Sequence, residues 1–214
     1  MTPPPHNLEI AFATAKDLDS LLSLHETTFL PIDGQEQYEE SKQSFTKTIN
    51  NGRVLVARVN HSFVGFAAFN LMGENLKAKK STQSALFWAS SQVNYPALSQ
   101  YAVRRFNEIK KGEIVVEMYT NNATSSHIKV RNHNLYFSEL VVINEYRRQG
   151  IGRALTLKRI EQAEILKSQA IYVSCYGGGF VSKIYERLGF IPIIKLGPFY
   201  NDGHAITEMV KFLE

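Results

Sequence analysis

The chain has 214 residues, 44% of them hydrophobic and 21% charged, which is the balance of a folded globular protein with enough apolar material for a sizeable core. A formal net charge of +4 fits an anionic ligand but is too small to argue for nucleic acid by itself. The one cysteine, Cys175, excludes a disulfide framework within the chain and a cysteine-rich zinc site, and the histidines show no ligand spacing.

Met1 to Asn7 has neither a basic n-region nor an apolar h-region and reads as a disordered lead-in. No apolar run is long enough to span a bilayer, so a cytoplasmic location is expected. Leu8 to Ala13 reads as a first strand. Thr14, with Asp17 three residues on, resembles a helix start. Leu18, Leu21, Leu22, His25 and Phe29 then form one apolar stripe at helical spacing, and Pro31 and Gly34 are expected to break that helix. Tyr38, Phe45 and Ile49 suggest a second helix ending near Gly52. Arg53 to Val59 and Phe63 to Leu71 read as a hairpin turning at Asn60, His61 and Ser62.

Residues 73–133 carry weaker signals. Thr82 to Ser91 reads as a short helix, and Leu98, Tyr101, Ala102, Arg105, Phe106 and Ile109 recur at the spacing of a second. Glu113 to Tyr119 reads as a strand and Thr120 to Asn134 as loop. Leu135 to Val142 is a strand, Gly152 to Lys167 a helix by composition and length, and Ala170 to Tyr176 a buried strand. Val181, Ile184, Tyr185 and Leu188 make a compact helical stripe that Gly189 ends. Ile191 to Leu196 and Ala205 to Leu213 read as two last strands.

The densest chemistry lies in Arg147-Arg148-Gln149-Gly150-Ile151-Gly152-Arg153-Ala154, between a strand and a helix. Backbone N–H groups at a helix start lack intrahelical partners and carry the positive end of the helix dipole. Glycines let a phosphate approach the backbone, and the arginines add fixed charge. The segment is neither a P-loop nor a dinucleotide fingerprint, since it has no Gly-Lys-Ser/Thr and no third glycine at Rossmann spacing. Arg147-x-x-Gly150-x-Gly152 resembles the Gln/Arg-x-x-Gly-x-Gly/Ala signature of the GCN5-related N-acetyltransferase (GNAT) superfamily. Tyr185-Glu-Arg-Leu-Gly-Phe190, between a helix and a strand, is similar to the Tyr-Glu-x-x-Gly-Phe element of the same family.

The resemblance implies an α+β GNAT fold: a mixed, mostly antiparallel central sheet flanked by helices, with a helical insertion, residues 73–133, between the third and fourth strands of a single domain spanning residues 8–214. It implies an acetyl-CoA-dependent N-acetyltransferase without a metal, acting on a primary amine of a small molecule or a protein by direct transfer in a ternary complex. The fourth and fifth strands would splay to hold acetyl-CoA. The pantetheine arm would lie on the backbone of Leu140, Val141 and Val142, and the pyrophosphate on Arg147, Arg148, Gln149, Gly150, Ile151, Gly152 and Arg153. The oxyanion would be held by the N–H of Val141 or Val142.

Tyr185 is the candidate acid for the leaving thiolate, because in the family a tyrosine here points its hydroxyl at the CoA sulfur; the stripe it lies on suits a core residue equally. Glu139 is the candidate base: a carboxylate that alternates with Phe137 and Val141 shares their apolar face, which raises its pKa. Glu117, in the neighbouring expected strand, is its rival, and a solvent-facing role is the plainer alternative for Glu139. Cys175 as an acetyl-accepting nucleophile competes with Cys175 as a small buried hydrophobe. His25 is either a core histidine or, since the family places the acceptor after this helix, a substrate contact. Many family members carry an asparagine where this chain has Gly178, so one side-chain contact to the CoA arm is lost. A transferase using another acyl-CoA, a non-catalytic acyl-CoA-binding regulatory module and nucleic-acid binding through Arg104, Arg105, Lys110 and Lys111 are the competing functions. Trp88, Tyr95, Tyr101 and Phe106 would form a small core, a substrate lid or a homodimer contact.

Overall fold

A computed structural model of the chain describes residues 3–71, 135–168, 170–176, 180–196 and 206–213. The expected helices and strand within 73–133, together with Glu117, Gly178 and the basic and aromatic residues named there, lie outside the described residues. Among those that are described, seven strands and four helices form a mixed, mostly antiparallel sheet with flanking helices. They are β1 (Leu8–Phe12), α1 (Leu18–Asp33), α2 (Gln35–Asn50), β2 (Val54–Val59), β3 (Ser62–Leu71), β4 (Leu135–Val142), α3 (Ile151–Ile165), β5 (Ala170–Tyr176), α4 (Phe180–Arg187), β6 (Ile191–Leu196) and β7 (Ile206–Phe212). The chain divides into two compact units, the first made of residues 1–70 and 137–166, the second of residues 71–136 and 167–214.

In the first unit the strands follow the order β1-β2-β3-β4. β1 pairs antiparallel with β2, and β2 with β3, from Val54 opposite Ala68 to Val59 opposite Ser62. The hairpin turns on Asn60 and His61, both at positive φ (50° and 64°), which is the two-residue turn whose twist matches that of the strands. Before α1, the Asp17 carboxylate accepts hydrogen bonds from the Thr14 N–H (2.8 Å) and hydroxyl (2.9 Å), and it also pairs with Arg58 of β2. Burial works to raise the Asp17 pKa, but the Thr14 and Arg58 contacts outweigh it and hold the carboxyl below its ordinary value.

One expectation fails here. Pro31 does not break the first helix, which runs through it to Asp33 and stops at Gly34 with φ 75°. A proline in the last turn forfeits one N–H bond near the end of the ladder, whereas Gly34 supplies the left-handed φ that ends it.

Both faces of the β2–β3 hairpin are covered. On one, Leu21, Phe45, Ile49, Val54, Val56, Phe66, Ala68 and Val141 join α1 and α2 to the sheet. On the other, Leu55, Ala57, Val59, Val64, Ala67, Ile151 and Leu155 join α3. Val141 therefore faces α1 and α2, while Leu140 and Val142 pack with the α3 cluster.

In the second unit the order is β5-β7-β6, with β7 antiparallel to both neighbours. Ala170 and Val210 are the buried centre, against Tyr172, Ile191 and Phe212. The start of β4 belongs to this unit, where the Tyr136 hydroxyl lies 2.7 Å from the Ser174 hydroxyl. Gly189, at φ 84°, closes α4, and the Phe190 N–H returns to Tyr185 O (3.0 Å).

Candidate active site

The glycine loop has the geometry of an anion cradle. Gly150 is the N-cap of α3 in the left-handed region (φ 78°), and Arg148 before it is also at positive φ (62°). A side chain at such φ costs roughly 1–3 kcal/mol, a strain that gathers at functional loops. The first internal bond of α3 is Ala154 N–H to Gly150 O (2.9 Å), so the N–H groups of Gly150, Ile151, Gly152 and Arg153 precede the ladder. Gln149 Nε2 donates to Glu145 O (3.0 Å), fixing the outer turn.

The three arginines of the loop differ in their surroundings. Arg147 Nε donates to Val142 O (2.9 Å), so that side chain folds back on the end of β4. Arg148 and Arg153 are exposed.

β4 presents alternate peptide groups to opposite edges. Ile143 N–H donates to Val64 O (2.9 Å), and Val141 O lies so near β3 that a Cβ on Gly65 would sit 2.5 Å from it. Glu139 O lies on the same edge, sharing the Arg159 guanidinium with Ala68 O. Residues 139, 141 and 143 therefore turn their backbone groups to β3, and Leu140 and Val142 turn theirs away. Of the two N–H groups expected to hold an oxyanion, Val141's faces β3; the sequence pattern alone left them equivalent.

Glu139 is an acid whose carboxyl is perturbed by burial. Burial raises its carboxyl above the ordinary range, outweighing the lowering influence of Ser138, its own backbone and the Arg159 charge, with Asp33 adding to the rise. Its Oε2 is sealed from solvent with no hydrogen-bond partner among the described residues, although the residue as a whole keeps partial exposure. Asp33, at the end of α1, is itself raised by burial.

His25 is buried and stacks on Phe45 (4.7 Å between centroids, 8° between planes), with Phe29 at 4.8 Å and Tyr38 at 5.6 Å. Burial, then the Lys42 charge, lowers its pKa to about 4, so it stays neutral. It is a core histidine, but its Nδ1 has no hydrogen-bond partner among the described residues, nor has the Tyr38 hydroxyl.

In the second unit, Tyr185 is 2% exposed and meets Phe190 edge-on at 5.0 Å. Cys175 is buried, with its Sγ 3.6 Å from Met209 Sδ. The structure thus brings the loop, Leu140, Val142 and Glu139 together in the first unit and places Tyr185 and Cys175 in the second.

Two residues of this region carried no signal as site residues. Arg159 is fully buried (0% exposed) although it lies on a helix of charged composition; its spacing from Ile151 and Leu155 was the available clue. Gly65 sits in the middle of a strand, where glycine often marks close backbone approach.

The sequence matches the Acetyltransferase (GNAT) domain family over residues 76–213. The chain belongs to that family, the GCN5-related N-acetyltransferases. No curated protein sequence matches it. Solved structures resemble it in fold. The polyamine N-acetyltransferase of Drosophila melanogaster, which forms N-acetylagmatine, is 14% identical with a TM-score of 0.63, covering 96% of this chain and 100% of that one. NAA60 of Arabidopsis thaliana in complex with acetyl-CoA is 17% identical with a TM-score of 0.58, covering 96% and 99%. The ribosomal-protein-alanine N-acetyltransferase of Brucella melitensis is 18% identical with a TM-score of 0.57, covering 96% and 99%. At such identities the likeness is one of fold. Among the described residues no helix is long and apolar enough to cross a membrane, and no group of three or more His, Cys, Asp or Glu is arranged to hold a metal.

Proposed function

We propose that residues 8–214 act as one acetyltransferase domain that passes the acetyl group of acetyl-CoA directly to a primary amine, with both substrates bound at once. The observation that carries this reading is Glu139: a carboxylate whose Oε2 is buried and has no hydrogen-bond partner among the described residues, on the strand next to the outward-facing peptides of Leu140 and Val142. Its raised proton affinity suits a base that collects a proton from an ammonium near neutral pH, directly or through water.

The pyrophosphate would rest on the N–H groups from Arg148 to Arg153 at the start of α3. The arm would pair with the outward edge of Leu140 and Val142 as an added strand. Val141 contributes by packing, since its carbonyl is turned to β3. Arg147 would first have to release Val142 O, or would keep that carbonyl for itself and leave the arm to Leu140. Tyr185 would donate the proton that the departing thiolate needs. Tyrosine, at about 10, and a thiol, at about 8.5, are close enough in pKa for that transfer to be nearly balanced. An acetyl-cysteine route through Cys175 is disfavoured by its burial and its contact with Met209.

The acceptor is a small-molecule or protein amine. A screen of free amino acids, polyamines, aminoglycosides and N-terminal peptides, following thiol release from acetyl-CoA, tests the reading. Release with at least one primary amine, slowed in Tyr185→Phe, is expected. Acetyl-CoA binding without release for any amine would identify a non-catalytic acyl-CoA-binding module instead.

A further inference from the structure

The largest fully buried side chain described is a cation, Arg159. Ile151, Leu155 and Arg159 recur every fourth residue and share the inner face of α3. Burying a guanidinium costs several kcal/mol unless its N–H groups are used, and an apolar side chain of similar size would fill the space more cheaply. Nη1 of Arg159 serves two backbone oxygens, donating to Ala68 O on β3 (3.0 Å) and to Glu139 O on β4 (3.2 Å). Its guanidinium carbon lies 4.1 Å from the centroid of the Phe137 ring, within cation–π range. Nη2 reaches Thr156 Oγ1 (3.4 Å), and that hydroxyl donates to Gly152 O (2.8 Å) in the first turn of α3.

We propose that Arg159 is a positioning residue for acetyl transfer, holding the carbonyl of Glu139 toward β3 so that the N–H of Leu140 faces away from β3, onto the edge where the donor binds. The physical step is short. The peptide joining Glu139 to Leu140 is planar and trans, so its C=O and N–H point in opposite directions. Fixing one fixes the other. Through Thr156 the same guanidinium is tied to the turn that cradles the pyrophosphate, so one side chain registers the two halves of the donor site in the first unit. Arg159 touches neither substrate. This assignment rests on the donor reading above.

Arg159→Lys keeps the charge and most of the volume but loses the planar fork that spans two carbonyls. Arg159→Met loses both. Leu155→Ala, on the same face one turn earlier, is the control for damage by packing alone. For each variant the acetyl-CoA Kd is measured by calorimetry, and kcat and acceptor KM are measured per binding-competent molecule. Arg159→Lys is expected to lower kcat on the order of 100-fold, the scale of a misplacement near 1 Å. Its acetyl-CoA Kd should weaken as well, because the Leu140 N–H and the loop turn belong to the donor edge, while its acceptor KM stays within about threefold of wild type. Leu155→Ala should lose melting temperature and keep its kcat. Equal kcat in Arg159→Lys and wild type, or an equal kcat loss in Leu155→Ala, would overturn the assignment while leaving the donor reading intact. Wild-type protein that binds no acetyl-CoA would overturn both.

Discussion

Gly65 in β3 offers a test in which two physical effects predict opposite signs. Glycine inside a strand costs roughly 0.5–1 kcal/mol of extra chain entropy relative to alanine, so Gly65→Ala should stabilise the protein if nothing is nearby. In the structure the added Cβ would lie 2.5 Å from Val141 O, 3.1 Å from Val142 Cα and 3.4 Å from Val141 C. All three are backbone atoms of β4 and cannot rotate away. To reach an ordinary separation of about 3.5 Å, the strands would have to part by roughly 1 Å. The Ile143 N–H bond to Val64 O (2.9 Å) lies beside that contact and would be strained with it. Overpacking of this kind costs about 1–3 kcal/mol, occasionally more, which exceeds the entropic gain. For a chain of this size that corresponds to a fall in melting temperature of roughly 3–10 °C. Differential scanning calorimetry on the free protein gives the answer directly. The acetyl-CoA Kd, measured below the transition, should also weaken, because Val141 and Val142 carry the displacement. A Gly65→Ala protein that melts at or above the wild-type temperature would show that β3 and β4 do not approach as described.

The two glycines of the loop should behave differently. Gly150→Ala forces a side chain into the left-handed region and should lose about 1 kcal/mol of stability together with acetyl-CoA affinity. Gly152→Ala finds its nearest neighbours, Val142 Cγ2 and Leu140 Cδ2, at 3.9 and 4.0 Å, so thermal melts should show an equal or higher stability and calorimetry an unchanged Kd. Tyr185→Phe should keep acetyl-CoA binding and lower turnover; equal turnover would remove its acid role. Glu139→Gln should abolish the rise of kcat with pH that reports ionisation of the raised carboxyl. The same carboxyl binds its proton more tightly in the folded state than in the unfolded chain. The stability it contributes is present in acid and lost as pH rises through the folded pKa. Wild type should therefore lose stability relative to Glu139→Gln as pH increases above the ordinary carboxylate range, a difference that melts at several pH values would read.

Much of the protein could be read from its residues because the signals are local. Capping by Thr14 and Asp17, the Asn60–His61 turn, the β-rich run of β2 and the Gly150 start of α3 depend on neighbours within a few positions, and the structure agrees with them to within a residue or two. The two short motifs fixed the family in the same way, since a strand–loop–helix turn and a helix–strand turn are each contained in one stretch of chain. Where a local signal misled, as at Pro31, the cause was position within the helix: the same residue that breaks a helix in its middle is tolerated in its last turn.

Long-range features were decided only by tertiary packing. Glu139 showed in the sequence as a carboxylate on an apolar strand; that its Oε2 is sealed, and that Asp33 adds to its rise, depends on α1 coming to lie beside β4. Arg159 looks like one charged residue among many on α3, and its buried role exists only because Ala68 and Glu139, remote in sequence, offer adjacent carbonyl oxygens. Gly65 likewise gains its meaning from Val141. The sequence by itself determined the described elements and the family, because those reside in short stretches of chain. Which edge of β4 each peptide faces, and which buried groups hold it there, was decided by contacts between distant segments, where no local pattern records the partner.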